Sequence, residues 1–139
     1  MRFLDASVFV HAYLRPRRAL SPSDQKVKEG AKRIVARVNS GEKVMTSAVH
    51  LAEVANILED YMPAEEALAV ERAILFKENI SVAPVSRQEC LAALEEAKDA
   101  GLGLTDALAC VLMREKGLEE IYSFDRDFDG RGGLKRVSG

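Results

Sequence analysis

The chain has 139 residues, a length that suits one domain, residues 1–139, burying about two thirds of its unfolded surface around one core. Its 47% hydrophobic and 30% charged residues exclude the low-hydrophobicity, high-charge balance of a disordered chain, and a net charge of −2 excludes a uniformly basic nucleic-acid binder. No apolar run approaches the roughly 20 residues of a membrane-spanning helix, and the opening MRFLDASVFV carries a charge at Asp5 and no cleavage site, so the expectation is a cytoplasmic protein without a membrane partner.

RFLDAS begins as a short buried strand. Residues near 23 to 39 then set Val27, Ala31, Ile34, Val35 and Val38 at helical spacing with lysines and arginines between them, and Gly41 closes that helix. KVMT reads as a second strand, Ser47 is placed to cap a helix through SAVHLAEVANILEDY, and Pro63 suits the first turn of the next helix, PAEEALAVERAILFKE. ISVAPV, rich in branched residues, is a third strand, and Ser86 with Glu89 has the spacing of a capping box for a helix ending near Gly101. Thr105 is expected to cap DALACVLMREK and Gly117 to stop it; EIYSF is the fourth strand and LKRVS a weaker fifth at the edge.

Strands alternating with amphipathic helices predict an α/β fold, a three-layer α/β/α sandwich around a mainly parallel sheet of four or five strands, because a parallel crossover needs room for a helix. Ligands gather in such sheets at the carboxyl ends of the strands, where the strand order reverses. Four acids fall at places that could meet there. Asp5 ends the first strand in a segment otherwise apolar, where it needs hydrogen bonds, a counter-charge or a cation, or else caps the following helix. Ser7, two residues on, could orient a carboxylate. Glu53 sits on a helix apolar on almost every side, in a stripe with His50 and Asn56 that faces either solvent or an acidic pocket.

Asp106 opens an apolar helix, where the helix dipole favours a negative charge whether or not it has a further role. Asp125 follows the fourth strand together with Asp127 and Asp129. D-R-D-F-D-G imitates the start of a calcium loop, but Arg136 stands at the twelfth position where a bidentate glutamate is required. Four carboxylates brought close could not all stay ionised without cations, and Mg²⁺ or Mn²⁺, hard octahedral ions that accept carboxylate oxygen, answer that requirement. Such a site suits phosphodiester cleavage, in which metal ions lower the pKa of water and neutralise charge on phosphate.

Competing chemistries have little to stand on. Cys90 and Cys110 lie among apolar residues, and with only His11 and His50 beside them no zinc-ligand spacing is present. His50 reads better as a structural or surface histidine than as a proton shuttle. A phosphotransfer receiver needs paired acids before its first strand, where only Met1 and Arg2 stand. Basic residues crowd one early stretch, Arg15, Arg17, Arg18, Lys32 and Arg33 among them, and this is either a surface for RNA phosphates or an ordinary solvated helix face.

FLDASVFV, SAVHLAEVANIL around Glu53, LGLTDALACVLM around Asp106 and IYSFDRDFD together resemble the PIN-domain nucleases, almost end to end, with the nearest likeness to the VapC-type toxins of prokaryotic toxin–antitoxin pairs. The resemblance implies a compact α/β/α sandwich and metal-dependent endonucleolytic cleavage of RNA by activated water. Asp5, Glu53, Asp106 and Asp125 match the family's acidic quartet, with Asp5 and Asp106 the most direct metal ligands. Ser7, Thr105 and Ser123 look like supporting polar groups, and Asp127 like a substitute or extra acid. A homodimer and a small antitoxin partner are also implied. A housekeeping RNA-processing nuclease without antitoxin, or a PIN domain that binds RNA or protein without cutting, would carry the same motifs. Residues 15 to 30 form a polar, proline-containing insertion that bears on substrate or antitoxin recognition.

Overall fold

Successive residues of a strand point to opposite faces of its sheet, and here both faces are apolar. The computed structural model describes Met1–Gly139, with strands β1 (Arg2–Leu4), β2 (Val44–Ser47), β3 (Ile80–Ala83), β4 (Glu120–Tyr122) and β5 (Lys135–Val137). The helices are α1 (Ala6–Tyr13), α2 (Pro22–Asn39), α3 (Ala48–Tyr61), α4 (Ala64–Phe76), α5 (Arg87–Ala100) and α6 (Leu104–Lys116), with a 3-10 turn over Arg126–Phe128. The five strands pair in parallel in the order β3-β2-β1-β4-β5. Phe3 lies opposite Met45 on one side and Ile121 on the other, and these three face a core with Leu108 and Leu112 of α6 and Ala93 of α5. Leu4, Val44, Ile80 and Tyr122 face the second core, against Phe9 of α1, Ile34 of α2, Leu58 of α3 and Ile74 of α4. The result is the expected three layers, with the weak LKRVS strand in place at the edge. No helix is long and apolar enough to cross a membrane.

Local chemistry accounts for most boundaries. Ser21 accepts the Asp24 N–H with Pro22 in the first turn of α2, Ser47 accepts the His50 N–H, and Ser86 and Glu89 form both bonds of a capping box. Gly101 and Gly117 end α5 and α6 at φ 69° and 66°, a left-handed conformation that costs glycine little.

Two boundaries depart from expectation. Thr105 does not cap α6: Gly103 is the N-cap, its carbonyl accepting the Ala107 N–H at 3.0 Å, and Thr105 lies inside the first turn with no capping bond. Glycine tolerates the N-cap nearly as well as a hydroxyl residue, so the side chain did not decide the position. Pro63 is the N-cap of α4 rather than its first helical residue. Helix α1 follows Asp5 directly, as the capping reading of that acid required, although Val8, Phe9 and Val10 favour a strand locally.

Candidate active site

The strand order reverses between β1, which is followed in the chain by its neighbour β2, and β4, which arrives after α5 and α6 on the other side. Asp5 leaves β1 at that point and its N–H donates to the Tyr122 carbonyl of β4 at 3.0 Å. The residue is only 5% exposed and is the backbone N-cap of α1, yet its carboxylate makes no capping bond. It instead receives two hydroxyls on Oδ2, from Ser7 at 2.8 Å and Ser123 at 2.7 Å. Each serine also fixes the chain after β4: Ser7 Oγ accepts the Phe124 N–H at 3.1 Å, and Ser123 Oγ accepts the Asp125 N–H at 3.0 Å. Both hydroxyls thus spend their protons on Asp5 and their lone pairs on backbone, which locks β1 and β4 in register at the site.

Asp125 opens the 3-10 turn and its Oδ1 accepts the Asp127 N–H at 2.9 Å. The loop is held from behind by two arginines. Arg136 donates to the Ser123 carbonyl at 3.2 Å and forks onto Asp129, and Arg131 donates to the carbonyls of Asp127 at 2.9 Å and Ala100 at 3.1 Å. The three aspartates of D-R-D-F-D-G therefore separate: Asp129 is neutralised by an arginine while Asp125 and Asp127 turn toward α6. One carboxylate oxygen each from Asp106, Asp125 and Asp127 lie within 4.8 Å of one another.

Asp106 stands in the first turn of α6, a helix with every residue from Ala107 to Met113 buried, so the position of the acid is set by the core below it. Its carboxyl group is pushed up to about 7 by burial first, then by Asp125, Asp5 and Glu53, despite the favourable helix dipole. Glu53, half-buried in the second turn of α3, is raised in the same direction by burial, Asp5 and Asp125. The quartet is thus one electrostatic unit. Asp127 joins it at the solvent edge and takes a place in the tight trio that distance denies to Asp5 and Glu53. No lysine or arginine contributes to either shift, and none of the four ion pairs of the molecule includes a quartet residue. An all-oxygen donor set with uncompensated negative charge fits a hard divalent cation and offers nothing to a soft one.

His50 is fully buried beneath the site, edge-on to Phe3 at 5.0 Å, with Nδ1 2.6 Å from Ser47 Oγ and Nε2 without a hydrogen-bond partner. Burial lowers its pKa against the pull of Asp5 and so favours the neutral ring. The His50, Glu53, Asn56 stripe splits accordingly into a buried, a half-buried and an exposed member. Among the basic residues, Arg15, Arg17, Arg18, Lys32 and Arg33 are all exposed, and only Arg15 and Arg17 line the cleft that adjoins the acids. Most of that cleft is lined by the polar, proline-containing segment over residues 15 to 30 that the sequence singles out, with Arg15, Pro16, Arg17, Leu20, Asp24, Val27 and Lys28 on its wall.

Fold and site together define an α/β/α protein with an all-carboxylate pocket at the switch point of a parallel sheet. The chain belongs to the PIN domain family, whose model matches residues 2–134. VapC20 of Mycobacterium tuberculosis, a sarcin–ricin loop cleaving toxin, is 25% identical with a TM-score of 0.72 over 95% of each chain. A toxin–antitoxin complex from Klebsiella pneumoniae matches at 15% identity and TM-score 0.65, over 97% of this chain and 96% of that one. VapBC2 of Rickettsia felis, solved with a DNA fragment from their promoter, matches at 14% and 0.65, over 98% and 96%. The last two speak for the fold alone. No curated protein sequence matches the chain.

Proposed function

We propose that this chain is a metal-dependent endoribonuclease and the toxin member of a toxin–antitoxin pair. The observation that carries the catalytic part is the uncompensated quartet, whose Asp106 is pushed up to about 7 by burial and then by the three other acids. Asp5, Glu53, Asp106 and Asp125 would hold Mg²⁺ or Mn²⁺, with Asp127 at the open edge. Bound there, the ion supplies activation of water and neutralisation of phosphate charge. The protein's own part is positional. Ser7 and Ser123 fix the Asp5 carboxylate through Oδ2, leaving Oδ1 without either hydroxyl, and Arg131 and Arg136 hold the loop that aims Asp125 and Asp127. The toxin assignment draws support from the likeness to the toxin VapC20 over 95% of both chains, and a small antitoxin partner from the likeness to the toxin–antitoxin complex of Klebsiella pneumoniae; a homodimer rests on the family resemblance alone.

The test is incubation of the purified chain with total RNA and mapping of new 5′ ends. Discrete cleavage with Mg²⁺ or Mn²⁺ that stops with chelator, and is suppressed by the product of an adjacent small reading frame, is the expected result. RNA left intact under all metal conditions would overturn the ribonuclease assignment, and cleavage insensitive to any neighbouring gene product would overturn the toxin assignment.

A further inference from the structure

A cleft of about 480 Å³ opens beside the acids, between the end of α1, the connection to α2 and the end of α3. It touches the site through one residue. Phe124 gives its N–H to Ser7, whose hydroxyl holds Asp5, and its ring lines the cleft and meets His11 edge-on at 5.5 Å. Tyr61, 62% exposed, supplies a third aromatic surface. Arg15 and Arg17 stand at the same cleft, exposed and outside every ion pair of the molecule. Lys28, also lining, is already committed to the Leu14 carbonyl at 2.5 Å and the His11 carbonyl at 3.1 Å, closing the end of α1. The single acid present, Asp24, lies in the first turn of α2.

From this geometry we infer that the cleft is a nucleotide subsite, taking an unstacked base of single-stranded RNA against Phe124 and Tyr61 while Arg15 and Arg17 hold its flanking phosphates. The RNA partner is taken from the proposed function of the adjoining acids. Aromatic faces accept any base, and free arginines supply phosphate contacts, the combination by which single strands are gripped without sequence readout. A cleft one residue removed from the acids would hold the strand so that the next phosphate falls at the carboxylates. It also explains how a chain of net charge −2 attracts a polyanion.

The probe is a fluorescein-labelled, mixed-sequence, 12-nucleotide single-stranded RNA, titrated by anisotropy in chelator so that binding is read without cleavage. Tyr61→Ala is expected to weaken binding by about 10-fold, within the range of base–aromatic stacking, and Tyr61→Phe to restore it. Arg15→Ala with Arg17→Ala should flatten the dependence of log Kd on log salt by about 1.4, the slope of two single-strand phosphate contacts. An RNA carrying 4-thiouridine should crosslink to Tyr61 or Phe124. Wild-type affinity and salt slope in all variants would overturn the subsite, and with wild-type cleavage intact would leave the ribonuclease reading standing. RNA binding that depends on these residues in a chain that never cleaves RNA would uphold the subsite and sink the ribonuclease reading instead. If the variants keep RNA affinity but lose the antitoxin-type partner, the cleft is a protein groove and the inference is wrong.

Discussion

Asp106→Asn stabilises the metal-free chain at pH 8 and leaves its stability at pH 4 nearly unchanged. The carboxyl is raised from an ordinary 3.8 to about 7, so the folded state binds a proton more tightly than the unfolded one. For such a group, stability is fully present below pH 3.8, falls as pH rises toward 7, and is lost above it. At about 1.36 kcal/mol per pKa unit the full shift would cost about 4 kcal/mol, but the residue is half-buried and solvent screening reduces this to about 1–2 kcal/mol. Asparagine removes the charge and with it that cost, so thermal unfolding followed by circular dichroism in chelator at pH 8 should rise by about 4–8 °C. Saturating Mn²⁺ should invert the order: the wild type gains about 2.7 kcal/mol at 100-fold over its Kd, and the asparagine chain gains far less. A variant less stable than wild type in chelator at pH 8, or one that gains as much from Mn²⁺, would refute the electrostatic account of the pocket.

Three further outcomes follow from the packing. Ser123→Ala removes a fully buried donor to Asp5 and acceptor for the Asp125 N–H, and should cost about 1–3 kcal/mol in urea unfolding while slowing RNA cleavage. Gly30→Ala places a methyl 2.8 Å from the Ser138 carbonyl oxygen and 3.3 Å from the Phe124 ring, and should cost about 1–3 kcal/mol in the same measurement; a neutral result would mean that the C-terminal residues do not rest on α2. Thr105→Ala should cost under about 0.5 kcal/mol because it caps nothing, whereas Ser86→Ala, which breaks a capping box, should cost about 1 kcal/mol.

The helices with chemical punctuation were legible. Ser47, Ser86 with Glu89, Gly101 and Gly117 each carry a local reason for their conformation, and the structure uses each as written. Asp5, Asp106 and Asp125 stand out in the sequence because acids at strand ends and helix starts contrast with apolar neighbours, and Glu53 because it interrupts an apolar helix. Helix α1 was signalled only by Asp5 as its cap, because Val8, Phe9 and Val10 favour a strand locally, and tertiary burial of Val8 and Phe9 against the second core overrides that preference. The Gly103 cap was hidden because glycine carries no side-chain signal. What no linear reading could supply was distance: that Asp127 joins Asp106 and Asp125 in the tightest trio, that Asp129 leaves with Arg136, and that Ser7 and Ser123, far apart in sequence, meet on one oxygen of Asp5.

The central claim, that the acidic quartet forms one cation site for RNA cleavage, is tested most directly by single-turnover rates on an end-labelled RNA in Mn²⁺ for the wild type, Asp5→Asn and Asp106→Asn. The account predicts that each substitution lowers the rate by about 10²–10³-fold or more, and that chelator abolishes wild-type cleavage. Wild-type rates in both variants, or cleavage that persists in chelator, would contradict it.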